Sequence, residues 1–162
     1  MSLRQQSILA GIADQIPALR PRTLLWLLPP EGNDPPAFLG GKQLSPAIGF
    51  LYADFSLKAT LCRPDGKEER RSRWVREQCE FGPHEMSVFH NGQLVGRWRY
   101  SDVICLSATG GRVTIEAQLP TETALAGAAY APHALILASQ PPPKRRPRPS
   151  VPPEGKLRAS ST

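Results

Sequence analysis

Apolar positions near the start of the chain recur at helical spacing. Ile8, Leu9, Ile12, Ile16 and Leu19 form one stripe, which predicts a short amphipathic helix within residues 2–19. Ser2 is placed to cap it with Gln5 or Gln6 in the first turn, and Pro17 or Pro21 ends it. Most helix stability comes from packing, so the stripe is expected to dock on the chain's own domain. Residues 23–28 are apolar on all sides and fit either a buried strand or another helical turn, which periodicity alone does not separate. Residues 29–46 hold five prolines and four glycines or asparagines, a composition that predicts a loop.

Beyond that loop the pattern changes to period two, punctuated by Asp65-Gly66, Asn91-Gly92 and Gly110-Gly111. Such pairs favour two-residue hairpin turns, because glycine takes positive φ freely and Asn or Asp tolerates it. A turn at Asp65-Gly66 sets Leu57, Ala59 and Leu61 opposite Trp74, Ser72 and Arg70. On the reverse face Lys58 meets Arg73 and Thr60 meets Arg71. Two cations directly across a sheet repel unless acid groups or a bound anion compensate, and Glu69 and Glu77 are close enough in sequence to do so internally.

The second turn pairs Phe89 with Leu94 and Val88 with Val95. Both faces are then apolar, which predicts a central or doubly covered pair. Its continuation alternates Arg97 and Arg99 with Trp98 and Tyr100, so the aromatics are expected in the core and the arginines in solvent. The third turn sets Ile104, Leu106 and Ala108 against Ala117, Ile115 and Val113, with Cys105, Ser107 and Thr109 against Glu116, Thr114 and Arg112 on a wet face. Residues 121–130 suit a short helix and residues 133–138 a closing strand, although helix and strand both remain open for residues 121–138.

The net charge of +6 is unevenly spread. Residues 140–162 carry Lys144, Arg145, Arg146, Arg148, Lys156 and Arg158 against Glu154, a net of +5, which leaves +1 for the preceding 139 residues. Seven prolines and few apolar groups make this a disordered tail with polyproline II character. Its cations suit salt-dependent attachment to nucleic acid or an anionic membrane surface. Arg146, Pro149 and Pro152 are spaced for a polyproline II groove and resemble SH3-domain ligands.

Catalytic signatures are missing from the pattern. His84, His90 and His133 stand in no motif beside Cys79 or Cys105, no ligand pair has metal spacing, and Gly40-Gly41-Lys42 lacks the rest of a phosphate-cradling loop. Cys62, Cys79 and Cys105, odd in number and widely spaced, are expected as three buried thiols in a reducing compartment, hence a cytoplasmic location.

The order of strands, with Arg71-Ser72-Arg73-Trp74-Val75, Val88-Phe89-His90-Asn91-Gly92 and Trp98-Arg99-Tyr100, resembles a pleckstrin-homology-like domain over about residues 58–117. Lys58 followed by Arg71-x-Arg73 is similar to the basic pattern with which phosphoinositide-binding members hold headgroups, so the resemblance implies Lys58, Arg71 and Arg73 as an anion or headgroup site. The family's closing helix with its tryptophan has no counterpart, since residues 121–138 contain no Trp.

The expected fold is therefore mainly β within an α+β class: an antiparallel meander forming a small half-open barrel or sandwich, with an N-terminal amphipathic helix and a disordered C-terminal tail. The expected divisions are residues 1–22 (helix), 23–45 (apolar segment and loop), 46–139 (meander domain) and 140–162 (basic tail). The expected function is a non-catalytic binding or adaptor module, without cofactor or metal, that contacts a protein or an anionic headgroup through its sheet. Two alternatives accompany it. One is nucleic-acid association through Arg97, Arg99, Lys144, Arg145, Arg146 and Arg148; the other is a structural role in a larger assembly.

Overall fold

Helix α1 (Leu3–Gln15) begins at a reciprocal cap. The Gln5 N–H donates to Ser2 Oγ at 3.2 Å and the Ser2 N–H donates to Gln5 Oε1 at 3.0 Å, satisfying two backbone donors that a helix end leaves open. Ile8, Leu9 and Ile12 bury its inner face. In this computed structural model the described residues are 1–30, 36–120 and 129–138. Among them no helix is long and apolar enough to cross a membrane.

After α1 come β1 (Ala18–Leu19), β2 (Leu24–Leu27), α2 (Gly41–Tyr52), β3 (Lys58–Thr60), β4 (Glu69–Arg70), β5 (Arg76–Phe81), β6 (Glu85–His90), β7 (Gln93–Arg99), β8 (Val103–Thr109), β9 (Arg112–Ile115) and β10 (Ile136–Leu137). One four-stranded sheet has the order β3-β2-β8-β9 and another the order β4-β5-β6-β7, while β1 pairs with β10. The class is α+β, and the β4 to β7 sheet is an antiparallel meander. The other sheet is mixed, with β2 parallel to both β3 and β8.

That central place resolves residues 23–28 as a strand and explains why β2 is apolar on both faces. Leu25 and Leu27 join α1, α2, β8 and β9 in one core, whereas Leu24 and Trp26 face a second core shared with Cys79, Met86 and Val88 of the antiparallel sheet. The layers are thus helices, mixed sheet and antiparallel sheet, an open sandwich without a closed barrel.

The first hairpin register does not form. At Asn91-Gly92 and Gly110-Gly111 both residues have positive φ, but at Asp65-Gly66 only Gly66 does, at 76°. A type I′ turn needs both and a type II′ turn needs the first, so Asp65-Gly66 forms neither. The turn that forms lies one residue earlier, around Pro64-Asp65, with the Gly66 N–H donating to the Arg63 carbonyl at 3.2 Å, and its flanks part: β3 pairs with β2, and β4 pairs with β5, setting Glu69 opposite Glu77. Lys58 and Arg73 are therefore not cross-strand neighbours.

The second hairpin pairs Phe89 with Leu94 as expected, but a bulge at Val95 makes Gly96 the partner of Val88. It is not central either: β7 is an outer strand, with Leu94 44% and Val95 48% exposed. The third hairpin has the expected register from Leu106↔Ile115 to Thr109↔Arg112. Its supposed wet face is buried at Cys105, because the second sheet covers it.

The expected loop over residues 29–46 ends early, since α2 starts at Gly41 and carries Pro46 inside it; the division at 45/46 falls within this helix. Cys62 and Cys79 are bonded as a disulfide and only Cys105 is free among the described residues, so three thiols were the wrong expectation. A disulfide does not point to a reducing compartment. Helix α1 shares its core with β2 and α2, so its apolar stripe docks on the chain's own domain as expected. The closing strand expected within residues 133–138 is β10. The helix expected over residues 121–130 lies almost wholly outside the described residues, as does the tail.

Candidate binding groove

Glu77 on β5 is a carboxylate only 2% exposed. It accepts from the Gly41 N–H at 3.1 Å, from Thr60 Oγ at 2.7 Å and from the Leu61 N–H at 3.3 Å. Arg71 Nε lies 3.8 Å away, and Arg71 also donates to the Leu61 carbonyl at 2.6 Å and to Glu69 Oε2 at 3.2 Å. The start of α2 adds the positive end of its dipole. This network joins α2, β3 and β5, with three protein donors on the carboxylate and the Arg71 charge beside it.

Gly41 is required by the close approach. A Cβ there would stand 2.2 Å from the Ala59 carbonyl oxygen and 2.8 Å from Glu77 Oε1. Ser45, one turn on, accepts from the Ala59 N–H at 2.8 Å and donates to the Ala59 carbonyl at 3.1 Å, fastening α2 along β3.

Beside this junction lies a groove of about 390 Å³ between α2, β3 and the β6–β7 hairpin. Lys42 from α2 and Lys58 from β3 line one side, and Val88, Leu94 and Val95 line the other. His90 lines it too, and its Nδ1 is buried without a hydrogen-bond partner. Glu77 lines it as well, with its charge answered by Arg71 and by the N–H and hydroxyl donors above, so the groove presents two lysines beside an apolar wall, which suits an acidic, partly apolar ligand.

A larger cleft of about 830 Å³ opens at the carboxyl ends of β2, β3 and β8, but its charges are of mixed sign and partly satisfy one another. Arg63 and Asp65 pair there at 2.6 Å. The backbone N–H of Lys67, then the Arg63 side chain, hold the Asp65 carboxyl below its usual range.

The sequence-expected residues are dispersed. Lys58 lines the groove, whereas Arg71 is enclosed with a side chain 2% exposed and paired to Glu69 and Glu77. Internal neutralisation thus claims Arg71. Arg73 is exposed, its guanidinium 5.4 Å from the Trp74 ring centroid. Arg97 and Arg99 are exposed on β7, opposite Ser87 and Glu85. Between them Trp98 is part-buried and donates to the Arg22 carbonyl at 3.1 Å, while Tyr100 is fully buried. Lys144, Arg145, Arg146, Arg148, Pro149 and Pro152 lie outside the described residues.

Lys42 is not among the residues the sequence points to, because Gly40-Gly41-Lys42 lacks the rest of a phosphate-cradling loop and carries no other motif. Leu44, Ile48 and Tyr52 do recur at helical spacing, and that signal would have found α2. Comparison with protein-family models, with curated proteins and with solved structures finds no match.

Proposed function

We propose that this chain is a non-catalytic binding module whose groove between α2 and the β6–β7 hairpin receives an acidic protein partner. The observation that carries this reading is the placement of Lys42 and Lys58 beside exposed Leu94 and Val95. Exposed apolar side chains gathered next to like charges mark interaction surfaces more often than scattered ones do. Donors from Gly41, Thr60 and Leu61, with the Arg71 charge beside them, favour a structural role for Glu77, the one deeply buried carboxylate among the described residues, over an acid–base role. The basic tail adds long-range attraction for the same acidic partner.

Affinity capture with the full chain tests this. The variant Lys42→Glu/Lys58→Glu should lose partners that the wild type and a Lys67→Glu control retain. Unchanged retention by the double variant would sink the reading. Capture abolished by nuclease, and indifferent to the double variant, would transfer support to phosphate contacts by Arg97, Arg99 and the tail.

A further inference from the structure

The four outer strands of the two main sheets differ in how their edges are closed. The β3 edge is occupied by Ser45, which bonds both backbone groups of Ala59. Along β9, Gln15 of α1 donates to the Val113 carbonyl and Gly11 packs against the Val113 side chain. Strand β4 has only two residues, too few to template another strand. Strand β7 has seven residues and, among the described residues, pairs on one side only, with β6.

Such an edge is a row of unpaired backbone donors and acceptors, and proteins normally cover or blunt it. The bulge at Val95 is the blunting device here, and it leaves Gly96–Arg99 as a regular run with Arg97 and Arg99 on one face. Arg99 has Glu85 opposite it on β6, whereas Arg97 faces only Ser87. The same strand continues through Leu94 and Val95 into the wall of the groove that Lys42 and Lys58 line.

We propose that β7 is a docking strand, to which an acidic extended segment of a partner protein adds as a further strand of the antiparallel sheet. The proposal rests on the groove reading above and specifies how the partner lies: backbone bonds to β7 supply affinity, and acidic residues at alternate positions meet Arg97 and Arg99. Past the bulge, the segment runs over Leu94 and Val95 toward Lys42 and Lys58. Charge selects the occupant. Arg97, Arg99, Lys42 and Lys58 outnumber Glu85 and the internally paired Glu77, so a strand bearing alternate carboxylates is favoured over a neutral or basic one.

A fluorescein-labelled seven-residue peptide of alternating glutamate and valine, matched to the length of β7, is the probe. Anisotropy with the full chain at low salt should show saturable binding, weakened about tenfold by Arg97→Glu/Arg99→Glu, two exposed positions whose substitution spares the core. The same peptide N-methylated on alternate residues should not bind, and hydrogen exchange should slow at β7 amides when the unmethylated peptide is present. No saturable binding, equal binding of the methylated peptide, or unchanged β7 exchange would overturn strand addition. Binding that ignores methylation but disappears in Lys42→Glu/Lys58→Glu would leave the groove standing and remove only the strand. A concentration-dependent dimer that protects β7 without peptide would assign the edge to a second copy of the chain and likewise overturn the proposal.

Discussion

Glu77 and Arg71, 3.8 Å apart with side chains 1% and 2% exposed, form a buried ion pair at the junction of α2, β3 and β5. Taking two charges out of water is costly, and their mutual attraction and hydrogen bonds offset that cost only while both are present. Glu77→Leu leaves the buried Arg71 guanidinium with Glu69 as its one acidic partner among the described residues and strands the Gly41 and Leu61 N–H groups, so a loss of about 3 kcal/mol is expected in urea unfolding. The double variant Glu77→Leu/Arg71→Met should be more stable than Glu77→Leu alone. A double variant no better than the single one would show that the partners do not act as a pair.

The disulfide between Cys62 and Cys79 closes a loop with a sequence separation of 17. Constraining a loop of that size in the unfolded chain is worth about 3 kcal/mol. Reduction, or Cys62→Ala/Cys79→Ala, should therefore lower the urea midpoint substantially while leaving Cys105 unreactive in the folded protein. Thiol titration before and after denaturation checks both halves. Three titratable thiols in freshly purified, unreduced and denatured protein would contradict the bond.

What the sequence made legible was local. The capping pair Ser2 and Gln5 and the register from Leu106↔Ile115 to Thr109↔Arg112 depend on residues within a few positions of one another, where cap and turn chemistry decide the geometry. The parallel pairing of Leu25 with Ala59 and with Ile104 depends on no turn, and so left no short-range trace. Asp65-Gly66 shows the limit clearly: the dipeptide marks a bend, but the strands on either side were claimed by β2 and β5. The groove was half visible. Lys58 was singled out for a false register and still lines the site, whereas Lys42 was hidden by a helix that tolerates Pro46 one turn after its open N-terminus.

Alkaline pH should unfold the protein. Burial pushes the phenols of Tyr52 and Tyr130 above their ordinary value of 10.0, and burial, with Glu116 adding to it, pushes the Cys105 thiol above 9.0. As pH rises past those ordinary values the unfolded chain releases protons that the folded one retains. The unfolded state then binds fewer protons, and stability falls with increasing pH. The expected profile is flat through neutrality and declines from about pH 9, by up to about 1.4 kcal/mol per pH unit for each group. Urea midpoints at several pH values measure it. Tyr52→Phe/Tyr130→Phe should flatten the decline, and a profile level up to pH 11 would refute the assignment.

Two glycines of α2 should respond unequally to one added methyl group. Alanine is favoured over glycine inside a helix by about 1 kcal/mol, so any penalty measures what surrounds the new Cβ. At Gly41 that atom would lie 2.2 Å from a backbone oxygen of β3, which cannot move without opening the Ser45–Ala59 and Glu77 contacts. Gly41→Ala should therefore cost at least about 2 kcal/mol and displace Lys42 from the groove, weakening capture of an acidic partner as well. At Gly49 the obstruction is the Phe55 ring, 2.5 Å away but 57% exposed and held only edge-on by Phe50 at 5.1 Å. That ring can swing into solvent, so Gly49→Ala should stay within about 1 kcal/mol of the wild type and leave capture unchanged. Equal destabilisation by the two variants would mean that helix α2 is not anchored through its N-terminal contact with β3.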